Sequence, residues 1–137
     1  MNTSQIEPYL AFNGNCEEAM NFYKSVLGGE LEVSHFSDYA KPGEKSPEGV
    51  MHSSLKAGGL SFMASDGMPG KKVVFGDSVS MSIAGTDEPA LTKIFNGLSK
   101  GGKVTIPLAK QMWGDVFGMF DDKFGIHWLV NIGKGDK

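Results

Sequence analysis

The chain says nearly the same thing twice, and that repeat restricts its fold more than any single residue does. Residues 15–33 read NCEEAMNFYKSVLGGELEV and residues 87–106 read DEPALTKIFNGLSKGGKVTI. Each is an amphipathic helix, then Gly-Gly, then an extended apolar segment. A second echo follows, GLSFMASD at 59–66 and GIHWLVNI at 125–132. Two copies of helix plus strands predict a duplicated α+β module. In 137 residues the copies share one domain's worth of chain, about 5–66 and 77–132 within a single domain spanning 1–137. Two small curved sheets facing each other would enclose a cleft, the expected place for a ligand.

Local patterns fill in the elements. Ile6–Phe12 reads as a first strand, with Pro8 pointing to an edge position. Asn15 with Glu18 three residues on predicts a capping box. Ala19, Phe22, Tyr23, Val26 and Leu27 then fall on one helix face, and Gly28-Gly29 stops the helix. Leu31–Phe36, Val50–Lys56 and Leu60–Ser65 are the next strands. The first two are separated by a long polar loop, Ser37–Gly49, and the last two by a Gly58-Gly59 turn. A linker over Asp66–Gly76 leads to Val79–Ala84, a helix capped by Thr86, Asp87 or Glu88 with Pro89 in its first turn, and strands at Lys103–Pro107, Phe117–Phe120 and Ile126–Ile132. The order is βαβββ-βαβββ, and the tail from Gly133 is expected to fray.

Several function classes are excluded. The net charge of -3 comes without a basic stripe, which argues against nucleic acid or an anionic membrane as partner. No apolar run reaches membrane-spanning length, and the N-terminus lacks the pattern of a signal peptide. One cysteine, Cys16, permits neither an intramolecular disulfide nor a Cys-rich metal site, so a reducing cytoplasm is the expected location. No G-x-G-x-x-G or P-loop is present, and the three Gly-Gly pairs fit turns and helix stops.

The stretches PYLAFNGNCEEAMNFYKSVLGGEL, VMHSSLKAGGLSFMASDGMPG and MWGDVFGMFDDKFGIHWLVNI span nearly the whole chain. Their Phe-Tyr helix, Gly-Gly hairpin followed by Ser-Asp, Trp-Gly pair and DKFG-x-x-W ending resemble the PhnB-like subgroup of the glyoxalase, or vicinal oxygen chelate, superfamily. That subgroup is often labelled demethylubiquinone methyltransferase. The resemblance implies paired βαβββ modules, the glyoxalase/bleomycin-resistance/dihydroxybiphenyl dioxygenase fold. It implies no single activity, because the superfamily includes isomerases, dioxygenases, transferases and pure binders.

Metal-dependent members of the superfamily hold one divalent ion with His, Glu or Gln from the first and last strands of each module. Strand register places Pro8 or Tyr9, Phe62 or Met63, Val79 or Ser80, and Trp128 or Leu129 at those positions. None is a histidine or carboxylate, whereas a Zn, Mn or Fe site needs three or four such ligands. No metal and no other cofactor is therefore expected. His35 and His52 stand on consecutive strands; opposed across them, with Asp38, Glu48 or Asp66 approaching, they would form a rearranged site. The plainer expectation is two sheet histidines bonded to backbone or water. His127 alternates with Trp128 and is placed on the outer or helix-packed side. Cys16, at a helix start, is expected to be a small buried side chain rather than a nucleophile.

The eight methionines include Met51, Met63, Met81, Met112 and Met119 in or beside strands, which with Trp and Phe side chains would make a soft cavity. The ligand-binding set expected from the repeat is His52, Met63, Asp66, Trp113 and Trp128. Asp66 would stand at the cleft mouth and Trp113 would fold over it. The reading is a homodimeric binder of an unknown small molecule without the usual metal. The alternatives are a metal-dependent lyase, isomerase or dioxygenase using His52, and a non-catalytic, resistance-type sequestering protein.

Overall fold

Helix α1 (Cys16–Leu27) forms because Cys16, Ala19, Met20 and Tyr23 recur at helical spacing and give one buried stripe. This stripe is rotated from the expected one, and Phe22, Val26 and Leu27 flank it rather than centre it. Gly28 follows at a φ of 76, where a residue with a Cβ is strained, and the chain turns into a strand. Helix α2 (Glu88–Ser99) repeats the design with Leu91, Phe95 and Leu98 buried.

The computed structural model describes residues 4–46, 48–67 and 70–134. The rest of the expected linker (68 and 69) and the end of the expected frayed tail (135–137) lie outside them. The chain divides into two compact units, Met1–Val74 and Phe75–Lys137.

The first unit contains β1 (Tyr9–Ala11), α1, β2 (Glu30–His35), β3 (Val50–Ala57) and β4 (Leu60–Ser65), with a 3-10 turn at Phe36–Tyr39 opening the long loop. Its sheet order is β1-β4-β3-β2, with β1 parallel to β4 and the other pairs antiparallel. The second contains β5 (Met81–Gly85), α2, β6 (Lys103–Lys110), β7 (Val116–Asp121) and β8 (His127–Ile132), in the matching order β5-β8-β7-β6. Both are βαβββ modules, as the repeat predicts. The first strand of each is shorter or later than expected, because only the parallel-paired residues join the sheet.

Each helix covers one face of its own sheet. Under α1 lie Leu55, Phe62 and Ala64, with Tyr23 meeting Phe62 edge-on at 5.8 Å. Under α2 lie Phe120, Trp128, Val130 and Ile132, with Phe95 edge-on to Phe120 at 4.9 Å. The other face of each sheet carries no helix of its own module. Side-chain alternation therefore sorts every strand residue into helix-packed or helix-distal.

Candidate functional site on the helix-distal sheet face

Register lays out the helix-distal face of the first module row by row. Glu32, Ser54, Met63 and Tyr9 form one row across β2, β3, β4 and β1. Ser34 and His52 are paired in the next row, and Glu30 and Lys56 pair on the other side. Tyr9 reaches diagonally to His52: its hydroxyl lies 3.3 Å from Nδ1, with ring centroids 5.9 Å apart. His52 also borders a shallow cavity of about 260 Å³ with Glu32, Val33, Ser34 and Tyr39, the last from the 3-10 turn. A concave patch with a few convergent polar and aromatic groups is the default place to look for a small-molecule site.

Of the five expected ligand residues, His52 and Met63 stand together on this face. Asp66 has its carboxylate engaged by the backbone of its own module. Its Oδ1 accepts the backbone N–H groups of Gly14 (2.8 Å) and Cys16 (2.9 Å), and its Oδ2 accepts that of Val50 (2.8 Å). It caps α1 from fifty residues away, and Asn15 makes no side-chain cap bond. The expected local capping box is thus replaced by a tertiary one, because a helix start accepts any oxygen brought to its free N–H groups.

Trp128 is a second correction. Its side chain is 1 % exposed, stacks on Phe120 at 6.4 Å, and donates Nε1–H to Asp122 Oδ2 at 2.8 Å. It belongs to the helix-packed core. The echo GLSFMASD/GIHWLVNI already aligns Trp128 with Phe62 and Leu129 with Met63. Placing Trp128 with Met63 in one ligand set overlooks that one-residue offset, which moves a side chain to the other face. His127 is correspondingly helix-distal, not helix-packed. Its Nδ1 is 2.6 Å from Asp121 Oδ1 and its Nε2 2.8 Å from the Gly76 carbonyl. The Asp121 bond, then the Gly76 carbonyl, raise its pKa above the ordinary 6.5. Trp113 is 59 % exposed in the β6–β7 turn and leans on Phe117 at 5.9 Å.

The histidine pair is also separated. A bulge between Ser34 and His35 sets Ser34, not His35, opposite His52. His35 turns to the helix side, where its Nε2 lies 2.7 Å from Glu17 Oε1 of α1, and that bond raises its pKa. A rearranged metal site built on both histidines does not match this geometry. Among the described residues no three His, Cys, Asp or Glu side chains converge. Of the positions that the resemblance marks for metal ligands, Tyr9 stands opposite Met63, while Val79 and Ser80 precede β5, so that Ser82 rather than Ser80 stands opposite Leu129. That donor set does not fit a divalent ion. Cys16 is fully buried beside Ser53 (3.7 Å), and burial pushes its thiol up to about 11, so it is not poised as a nucleophile.

Residues 4–131 match the 3-demethylubiquinone-9 3-methyltransferase family. The chain belongs to that family. Protein PA1353 from Pseudomonas aeruginosa is 38% identical, with a TM-score of 0.85, over 97% of this chain and all of that one. The PhnB protein of Bacillus cereus is 27% identical, with a TM-score of 0.75, over 95% of this chain and all of that one. A glyoxalase/bleomycin resistance protein from Albidiferax ferrireducens, 13% identical over 94% of this chain and 98% of its own, shares the fold at a TM-score of 0.61. The family and the paired-module glyoxalase fold are thus as the sequence implied. Sequence reasoning passed over Glu32, Ser34 and Tyr39. The signal for the first two was present, since both alternate with the helix-packed Leu31 and Val33.

Proposed function

We propose that this protein binds a small polar molecule on the helix-distal face of its first module, with Tyr9 and His52 as the central contact pair. The observation that supports this is the Tyr9–His52 contact beside the cavity edged by Glu32 and Tyr39. A buried structural histidine would have both ring nitrogens occupied. His52 is exposed and has only Nδ1 engaged among the described residues. A fragment library read by amide chemical shifts tests the site: saturable shifts should centre on Tyr9, Glu32, Tyr39 and His52 and disappear in His52→Ala. Shifts elsewhere only would refute it. Turnover of a bound compound then separates an enzyme from a sequestering binder.

The family's methyltransferase description finds no glycine fingerprint in this chain, and each sheet is mainly antiparallel. Calorimetry with S-adenosylmethionine is expected to give no saturable heat; micromolar binding would overturn that expectation.

We also infer a cytoplasmic homodimer. Edge strand β6 exposes Val104 (43 %) and Ile106 (39 %), apolar surface of the kind a second copy covers. No described helix is long and apolar enough to cross a membrane. Light scattering at low micromolar concentration should return twice the chain mass, and a monomer would refute the assembly.

A further inference from the structure

The geometry points to a small protonated organic amine as the ligand of the first module's face, an inference that rests on that face being the binding site. The charges on the face are unevenly matched. Glu30 stands directly opposite Lys56, whereas Glu32 stands opposite the neutral Ser54. Among the described residues, the Glu32 carboxylate has no hydrogen-bond or ion-pair partner, and it lies on the cavity wall. The rest of the wall suits a cation as well. Tyr39 is an exposed phenol whose ring face and hydroxyl oxygen both attract positive charge. His52, which borders the cavity, can donate Nδ1–H to the Tyr9 hydroxyl, the tautomer that leaves Nε2 as an acceptor.

An anion would meet the Glu32 carboxylate with no cation directly opposite it in the sheet. A neutral apolar ligand would bury that carboxylate without a partner, at a cost that disfavours it. An ammonium group, by contrast, supplies donors to Glu32 and to His52 Nε2 while its carbon body lies against the Tyr39 ring. At about 260 Å³ the cavity fits a compact amine rather than an extended ligand.

Benzylamine, benzyl alcohol and benzoate share one shape and differ in charge, so they test this directly. Amide chemical-shift titrations of the full chain at neutral pH are the readout. Benzylammonium should shift the resonances of Glu32, Val33, Tyr39 and His52 saturably. Benzyl alcohol and benzoate should bind there about tenfold more weakly or worse. Glu32→Gln, an exposed substitution whose fold the same spectra report, should weaken benzylammonium by about tenfold and leave benzyl alcohol unchanged. Equal binding of the three probes, or an unchanged affinity in Glu32→Gln, would overturn the amine assignment while leaving the site standing. No saturable shift at these residues with any of the three would overturn both.

Discussion

The two modules have the same strand order and the same pairings, yet their helix-distal faces differ in chemistry. In the first, one row reads Glu32, Ser54, Met63, Tyr9. The matching row of the second reads Ile106, Met119, Leu129, Ser82. Where the first module has His52 touched by Tyr9, the second has Phe117 touched by Trp113. Sheet pairing uses only backbone groups, so a duplicated module keeps its topology while its outward side chains change freely. The helix-packed faces lack that freedom, since each must fill the space under a helix. Hence Phe62 and Trp128 remain large and apolar at equivalent places.

The contrast between faces can be broken most forcefully at β8. Trp128→Ala is expected to cost about 3–5 kcal/mol in chemical denaturation, since it empties core volume and leaves Asp122 without its indole donor. Leu129→Ala, one residue on and half-buried on the other face, should cost under about 1.5 kcal/mol. Similar losses for the two would mean the faces are misassigned.

The helix caps give the next largest effect. Asp66→Ala frees three backbone N–H groups on two separate segments and should destabilise by about 2–4 kcal/mol. Asp87→Ala removes one local cap bond, to Ala90 at 3.0 Å, and should cost about 1 kcal/mol. Equal costs in a urea series would show that the long-range cap is not special.

Substitutions on the open faces should change binding more than stability. His52→Ala and Phe117→Ala occupy corresponding places. Only the first should weaken a ligand found by the fragment screen, by about tenfold. A ligand lost equally from both variants would show that the second module's face takes part as well.

The smallest effect concerns pH. His127 has an acceptor at each ring nitrogen, an arrangement only the imidazolium satisfies fully. Its folded pKa is raised, so its contribution is complete below the unfolded value of about 6.5 and is lost as pH rises through the folded value. His35 shifts the same way through Glu17. His127→Gln should flatten the decline in melting temperature as pH rises above about 6.5. A wild-type decline that is unchanged in this variant would place the titration elsewhere.

Much of this protein can be read in its sequence by elementary rules. The helices, the Gly-Gly stops, the Leu60–Ser65 strand and the duplicated order follow from periodicity and turn chemistry, which act over a few residues. The alternation of His127 with Trp128 is legible too, but its phase is not. A two-residue period says that neighbours face apart without saying which one meets the helix. The tertiary structure decided that phase, the bulge that separates His35 from His52, and the use of Asp66 as the cap of α1. These rest on groups 15 to 52 residues apart meeting in space. A carboxylate has no sequence mark that separates a ligand contact from a cap. Only the three N–H groups gathered around Asp66 do that.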